Sequence, residues 1–91
     1  MNQLCLHCYV SGRVQGVYFR DSTQKQAIKL GVKGWTRNLE DGRVEVLASG
    51  EEEAVKQLAK WLWKGSPLSK VTDVVIEECA FEDHEGFEIR Y

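Results

Sequence analysis

The feature that most constrains the fold of this chain is the order in which its hydrophobic pattern changes period. Strands repeat every two residues and helices about every 3.6, so the period identifies the element. The sequence predicts the order β-α-β-β-α-β followed by a closing strand. The predicted strands are residues 4–11, 32–39, 43–49, 70–78 and 87–91.

Both helices are predicted from apolar residues at helical spacing and from residues that suit helix ends. The first has an N-cap signal at Asp21-Ser22-Thr23-Gln24 and ends at Gly31. Its predicted apolar face consists of Thr23, Ala27, Ile28 and Leu30. The second begins with the acidic turn Glu51-Glu52-Glu53 and stops at Gly65-Ser66-Pro67. Its predicted apolar face consists of Ala54, Val55, Leu58, Trp61 and Leu62.

This order of elements is that of the ferredoxin-like, split βαβ arrangement, an α+β fold. In it, two helices cover one face of an antiparallel sheet, which agrees with strands that carry apolar residues on one side only. The tripeptide Glu40-Asp41-Gly42 lies between the second and third strands and predicts a hairpin turn. Because this fold serves many functions, function must be inferred from a site.

Composition limits the classes of protein to which the chain can belong. Its 91 residues suffice for one small core, so we treat residues 1–91 as a single domain. A net charge of −2 excludes a broad positive surface for nucleic acid or an anionic membrane. No apolar run approaches the ~18 residues of a membrane span, and no signal-peptide profile is present. We therefore expect a cytoplasmic protein that binds neither nucleic acid nor membrane.

Cysteine and histidine residues do not form a recognisable metal or redox site. Cys5 and Cys8 are three positions apart, and such residues point to opposite faces of a strand, which separates their thiols. Reduced thiols with packing roles are the default expectation, Cys79 included. Neither His7 nor His84 belongs to a spaced set of three or four ligands. The sequence therefore predicts no metal and no cofactor.

The run Gly12-Arg13-Val14-Gln15-Gly16-Val17-Tyr18-Phe19-Arg20 places two glycines and an arginine between the first strand and the first helix. Such a chain can curl so that successive N–H groups point into one hollow, with the positive end of the helix aimed at the same place. A hollow of this kind binds an anion. The simpler alternative is a sharp turn beside a solvated Arg20 that forms a weak ion pair.

This run resembles the phosphate-binding signature of the acylphosphatase family. A second block, Gly34-Trp35-Thr36-Arg37-Asn38-Leu39-Glu40-Asp41-Gly42-Arg43-Val44, also resembles a motif of that family and follows in the right order. The resemblance extends from the first strand to the terminal Phe87-Glu88-Ile89-Arg90-Tyr91. It implies a ferredoxin-like enzyme that hydrolyses the anhydride between a carboxylic acid and phosphate without a metal ion.

The same resemblance implies roles for individual residues. Arg20 anchors the substrate phosphate, and Asn38 orients the attacking water. The phosphate also meets the backbone amides of Gln15, Gly16, Val17, Tyr18, Phe19 and Arg20. A side-chain amide suits the water-positioning role because it offers both an acceptor and donors. Without the family, Asn38 would be better explained as a residue that caps the adjacent turn through its own backbone.

The resemblance implies a small acyl phosphate as substrate, inorganic phosphate as product and inhibitor, and a monomeric enzyme. One alternative is a non-catalytic module that binds phosphate or carbamoyl phosphate, because similar domains occur within larger maturation enzymes. Another is an RNA-binding sheet, but residues 43–48 of the third strand contain no aromatic side chain for base stacking. Trp63 lies off the apolar helix face and is the one candidate for contact with a partner.

Overall fold

In the computed structural model, which describes residues 2–91, the chain forms five strands and two helices in the predicted order. The strands are β1 (Gln3–Arg13), β2 (Lys33–Asn38), β3 (Val44–Glu51), β4 (Lys70–Glu78) and β5 (Phe87–Arg90). The helices are α1 (Phe19–Leu30) and α2 (Glu52–Leu62). The predicted ferredoxin-like α+β fold is confirmed.

The strands form one sheet in the order β4-β1-β3-β2-β5. The first four pair antiparallel, but β5 runs parallel to β2, so the sheet is mixed rather than entirely antiparallel. The antiparallel pairings give β4 a direction opposite to that of β1 and β2. The chain then reverses direction as it crosses from β4 at one edge to β5 at the opposite edge, so β5 runs in the same direction as β2. That crossing passes over the sheet, where Ser49 Oγ donates a hydrogen bond to the Glu82 carbonyl oxygen at 2.8 Å.

The core lies between the two helices and one face of the sheet. Alternation in β1 places Cys8 and Val10 there with no exposed surface, and Val44 and Val46 of β3 face the same layer. From the helices come Phe19, Thr23 and Ala27 of α1 and Val55, Leu58, Ala59 and Leu62 of α2. The helical periodicity of α2 is therefore confirmed by its buried residues.

The start of α1 differs from the prediction. The helix begins at Phe19 after a left-handed Tyr18, and no side chain caps it, so the predicted N-cap at Asp21 is wrong. Phe19 is 1% exposed, and its burial in the core sets the point at which the helix begins. The buried face then runs Phe19, Thr23, Ala27, which leaves the predicted core residue Ile28 64% exposed. The predicted terminator Gly31 is confirmed as a left-handed C-cap.

The cysteines lie as their alternation in β1 predicts, with one additional contact. Cys8 is in the core, where burial raises the pKa of its thiol to about 12. Cys5 is on the other face and is nevertheless buried, because the chain after β4 covers it. Its Sγ lies 2.9 Å from Sγ of Cys79. The C-x-x-C spacing contains no information about this contact, which joins residues 74 positions apart.

A buried carboxylate lies on the sheet face opposite the helices. Glu45 is 5% exposed, accepts a hydrogen bond from Arg37 Nε and shares another with His7 Nε2. The ring of His7 in turn stacks on Tyr9, with the ring centroids 4.8 Å apart. Burial raises the pKa of Glu45, but the hydrogen bonds from Arg37 and His7 together lower it by more than burial raises it. The net pKa is therefore below its usual value.

This lowered pKa makes stability depend on acid. Because the folded-state pKa lies below the unfolded value of 4.5, the ionised carboxylate stabilises the fold above that pH and loses its contribution as pH falls through the folded pKa. We expect Glu45→Gln to lower the free energy of unfolding by about 1–3 kcal/mol near neutral pH. Its stability should also decrease less than that of the wild type below about pH 4.5. Urea unfolding across pH measures both effects.

The matched control for this experiment is Glu88→Gln. Glu88 forms an exposed ion pair with Arg90 at 3.0 Å, so its removal should change stability little. Equal acid sensitivity of Glu45→Gln and the wild type would contradict the assignment.

Candidate active site

The segment between β1 and α1 curls because of its glycines and one strained residue. Gly12 has φ 122°, and a Cβ there would collide with the Lys70 carbonyl oxygen of β4, so only glycine fits. Gly16 (φ 75°) and Tyr18 (φ 61°) are both left-handed, and they turn the chain sharply into α1. Tyr18 is the only residue other than glycine with positive φ among residues 2–91.

Buried side chains hold this loop so that its backbone faces outward. Val14 and Val17 are 1% and 4% exposed, and Phe19 anchors the end of the loop in the core. The Val17 carbonyl oxygen accepts a hydrogen bond from Ser66 Oγ at 2.8 Å. Within residues 2–91, the N–H groups of residues 15–20 donate no hydrogen bond. They are therefore available to an anion at the start of α1.

A cavity of about 320 Å³ opens beside the loop. It is lined by Val14, Gly16, Tyr18, Phe19, Arg20, Asp21, Asn38, Ile89 and Tyr91. Of the residues predicted for the site, the structure thus brings together Gly16, Tyr18, Phe19, Arg20 and Asn38. The other two, Gln15 and Val17, do not line the cavity, because their side chains point to the hairpin and the core.

Arg20 is the second residue of α1, whereas the sequence predicts it just before the helix. Its Nη1 donates a hydrogen bond to the Arg90 carbonyl oxygen at 3.1 Å. Its guanidinium carbon lies 4.8 Å from the ring centroid of Tyr91. The end of the chain therefore orients this guanidinium, and Arg20 is the one cationic side chain in the cavity lining.

Asn38 is the last residue of β2, opposite Val44 of β3. Its Oδ1 is buried and has no hydrogen-bond partner among residues 2–91. The turn that follows is closed by other groups, chiefly hydrogen bonds between Leu39 and Arg43 and between Gly42 and Leu39. Because Asn38 contributes to none of them, the alternative that it caps the turn finds no support.

Asn38 approaches the loop although its strand does not pair with the strand that precedes the loop. In the sheet, β3 lies between β1 and β2. The connection is made instead by Gln15, whose Nε2 donates to the carbonyl oxygens of Leu39 (2.7 Å) and Arg43 (2.9 Å). A single side-chain amide thus ties the loop to the hairpin that carries Asn38.

Replacement of this amide tests the connection. Gln15→Glu keeps the size of the side chain but presents carboxylate oxygens to two carbonyl acceptors. We expect it to lower the free energy of unfolding by about 2–3 kcal/mol, because two hydrogen bonds are lost and a charge is left without a donor. Chemical denaturation measures the change. Gln57→Glu on the exposed side of α2 makes the same substitution and should have little effect; similar losses in both variants would refute the connection.

Sequence reasoning missed four residues of the lining: Val14, Asp21, Ile89 and Tyr91. Ile89 and Tyr91 could not be placed because β5 reaches the site only by pairing with β2 at the far edge of the sheet. The sequence predicts Asp21 as a helix cap and Val14 only as part of the turn between the first strand and the first helix. For Val14 and Asp21, the one signal in the sequence is that they lie within or directly after the glycine-containing run that forms the predicted hollow.

Within the described part of the chain, residues 2–91, no group of three or more His, Cys, Asp or Glu side chains is arranged to hold a metal ion. No helix of this part is long and apolar enough to cross a bilayer. Beside the carboxylate of Asp21, the site offers one guanidinium, backbone N–H groups at a helix start and one side-chain amide. This combination suits a phosphoryl group, which presents several acceptor oxygens.

Comparison with known proteins agrees with this chemistry. The sequence profile of the acylphosphatase family, described as "Acylphosphatase", matches residues 6–89. An acylphosphatase of Nitrosococcus oceani is 54% identical over 94% of this chain and 97% of its own length. One of Pseudomonas paraeruginosa is 53% identical over 99% of both chains.

The fold comparison gives the same answer. The solved structure of an acylphosphatase from Coxiella burnetii superposes with a TM-score of 0.94 at 45% identity, covering 98% of this chain and 94% of that one. The candidate site is thus a glycine-containing loop at the start of a helix on a ferredoxin-like sheet. The chain belongs to the acylphosphatase family, a family of enzymes that hydrolyse acyl phosphates.

Proposed function

We propose that this protein hydrolyses small acyl phosphates with Arg20 and the loop amides holding the phosphate and Asn38 orienting the attacking water. The supporting observation is that Arg20, part of the loop and Asn38 line one cavity, and that the loop N–H groups of residues 15–20 donate no hydrogen bond within residues 2–91. Asn38 adds a buried Oδ1 that has no hydrogen-bond partner among residues 2–91 and is suited to accept a hydrogen bond from water.

The chemistry needs little beyond position and charge. The leaving group is a carboxylate whose acid has a pKa of about 4, so it departs without a general acid. The oxygen of the water forms a bond to phosphorus, and the P–O bond to the carboxylate breaks, so that the carboxylate leaves with the electron pair. The water transfers a proton to an oxygen of the substrate's own phosphate in the same step. Arg20 and the amides stabilise the charge on the phosphoryl oxygens, the largest contribution in most phosphoryl transfers.

One chain supplies every residue of this proposed site, so the mechanism requires only a monomer. Inorganic phosphate, as product, meets the same guanidinium and amides and should inhibit competitively. The direct test is incubation with benzoyl phosphate in the presence of a chelator, followed by the loss of the anhydride absorbance. A protein that binds phosphate but leaves the anhydride intact would instead be the non-catalytic module.

Arg20 carries the strongest electrostatic contribution in the proposal. We expect Arg20→Ala to lower turnover by at least ~10²–10³-fold, the usual cost of removing one preorganised donor. Arg20→Lys should recover only part of this, because a point charge cannot form the two parallel hydrogen bonds of a guanidinium. Steady-state kinetics with unfolding controls measure the effect. Near-normal turnover of Arg20→Ala would remove this residue from the mechanism.

Replacement of Asn38 should lower the rate of hydrolysis more than it weakens the binding of phosphate. In Asn38→Ala the water loses its orienting group while Arg20 and the loop amides remain, so kcat should fall by ~10²-fold or more. The inhibition constant of phosphate should change by less than about threefold. Measuring kcat and phosphate inhibition on the same preparation separates the two. A large rise in the inhibition constant with little change in kcat would reverse the assignment.

A further inference from the structure

The cavity extends beyond the groups that contact a phosphate. Its volume of about 320 Å³ lies in the range of pockets that enclose whole small-molecule ligands, at roughly 300 Å³ and above. Arg20, the loop backbone and Asn38 occupy one part of the lining. The side chains of Tyr18, Ile89 and Tyr91 form another part, and they carry no charge.

The two tyrosines have exposed rings that packing does not explain. Tyr18 is 72% exposed and Tyr91 is fully exposed, whereas Ile89, which lines the same cavity, is partly buried. They belong to different elements, the loop before α1 and the residue after β5, yet both line the same cavity. Exposed aromatic side chains that converge on one opening are typical of ligand contact.

The backbone of Tyr18 strengthens this argument. Its φ of 61° and ψ of 28° lie in the left-handed region, which glycine adopts without steric cost and a tyrosine does not. The ring makes no core contact that would compensate, since it points into solvent at the cavity mouth. Strained residues of this kind concentrate at functional sites.

We propose that Tyr18, Tyr91 and Ile89 form the binding site for the acyl group of the substrate. The site then favours acyl phosphates whose acyl group is aromatic or otherwise flat and apolar. This inference depends on the proposed function and specifies its substrate class. Because the Tyr91 ring lies against the guanidinium of Arg20, an acyl group in contact with this ring lies next to the phosphate that Arg20 holds in the proposed function.

The test compares two substrates that differ only in the acyl group. We expect kcat/KM for benzoyl phosphate relative to acetyl phosphate to fall about 3- to 10-fold in Tyr18→Gly, and similarly in Tyr91→Ala, since each loses one aromatic contact. Tyr18→Phe keeps the ring and should keep the ratio within about twofold. Tyr18→Gly should also unfold at the same or a higher temperature, because it relieves the strained backbone.

The matched control is Trp63→Ala, which removes a 50% exposed aromatic side chain that does not line this cavity and should leave the ratio unchanged. A ratio unaltered in Tyr18→Gly or in Tyr91→Ala overturns the inference, and would point to the tyrosines as contacts for a protein partner. If the wild type hydrolyses neither benzoyl phosphate nor acetyl phosphate, the proposed function itself is overturned. The two failures are therefore distinguishable.

Discussion

The site depends on the burial of Val14, Val17 and Phe19, three apolar side chains spread along the loop between β1 and α1. Because these side chains turn inward, the backbone between them must face outward, and its N–H groups have no partner among residues 2–91. Burial in the hydrophobic core thus stabilises the backbone conformation that the proposed phosphate site requires. The same burial of Phe19 determines where α1 begins, and therefore where its positive end points.

Electrostatics in this protein are local. The chain has a net charge of −2, yet its cavity presents a single guanidinium and a helix start to the ligand. The guanidinium is oriented by the Arg90 carbonyl and the Tyr91 ring rather than by a carboxylate. Asp21 also lines the cavity, but within residues 2–91 no carboxylate forms an ion pair with Arg20, so its charge stays available to the phosphoryl group of the proposed substrate. The acidic composition and the anion site are compatible for this reason.

Local patterns in the sequence predicted most elements because each depends on neighbours within about four positions. Residues 70–78 coincide with β4, and the face of α2 agrees with its buried residues. The predicted start of α1 at Asp21 is wrong because the burial of Phe19 in the core sets the start of the helix, and the types of residue near a helix end do not reveal that burial. The hairpin turn predicted the pairing of β2 with β3, but the other neighbour of β2, the parallel strand β5, was not predicted, since pairing between distant strands is decided by how the whole sheet assembles.

By itself, the sequence determined the ferredoxin-like order of elements, the curled glycine run and the residue types of a phosphoryl site. Only the tertiary structure decided which of these meet. The side chain of Gln15 donates hydrogen bonds to Leu39 and Arg43, which lie 24 and 28 positions further along the chain. The side chain of Arg20 donates one to Arg90, which lies 70 positions further along. Such contacts arise when β5 crosses to the far edge of the sheet and the hairpin closes beside the loop. Periodicity describes only residues within a few positions of one another, so these long-range contacts leave no trace in it.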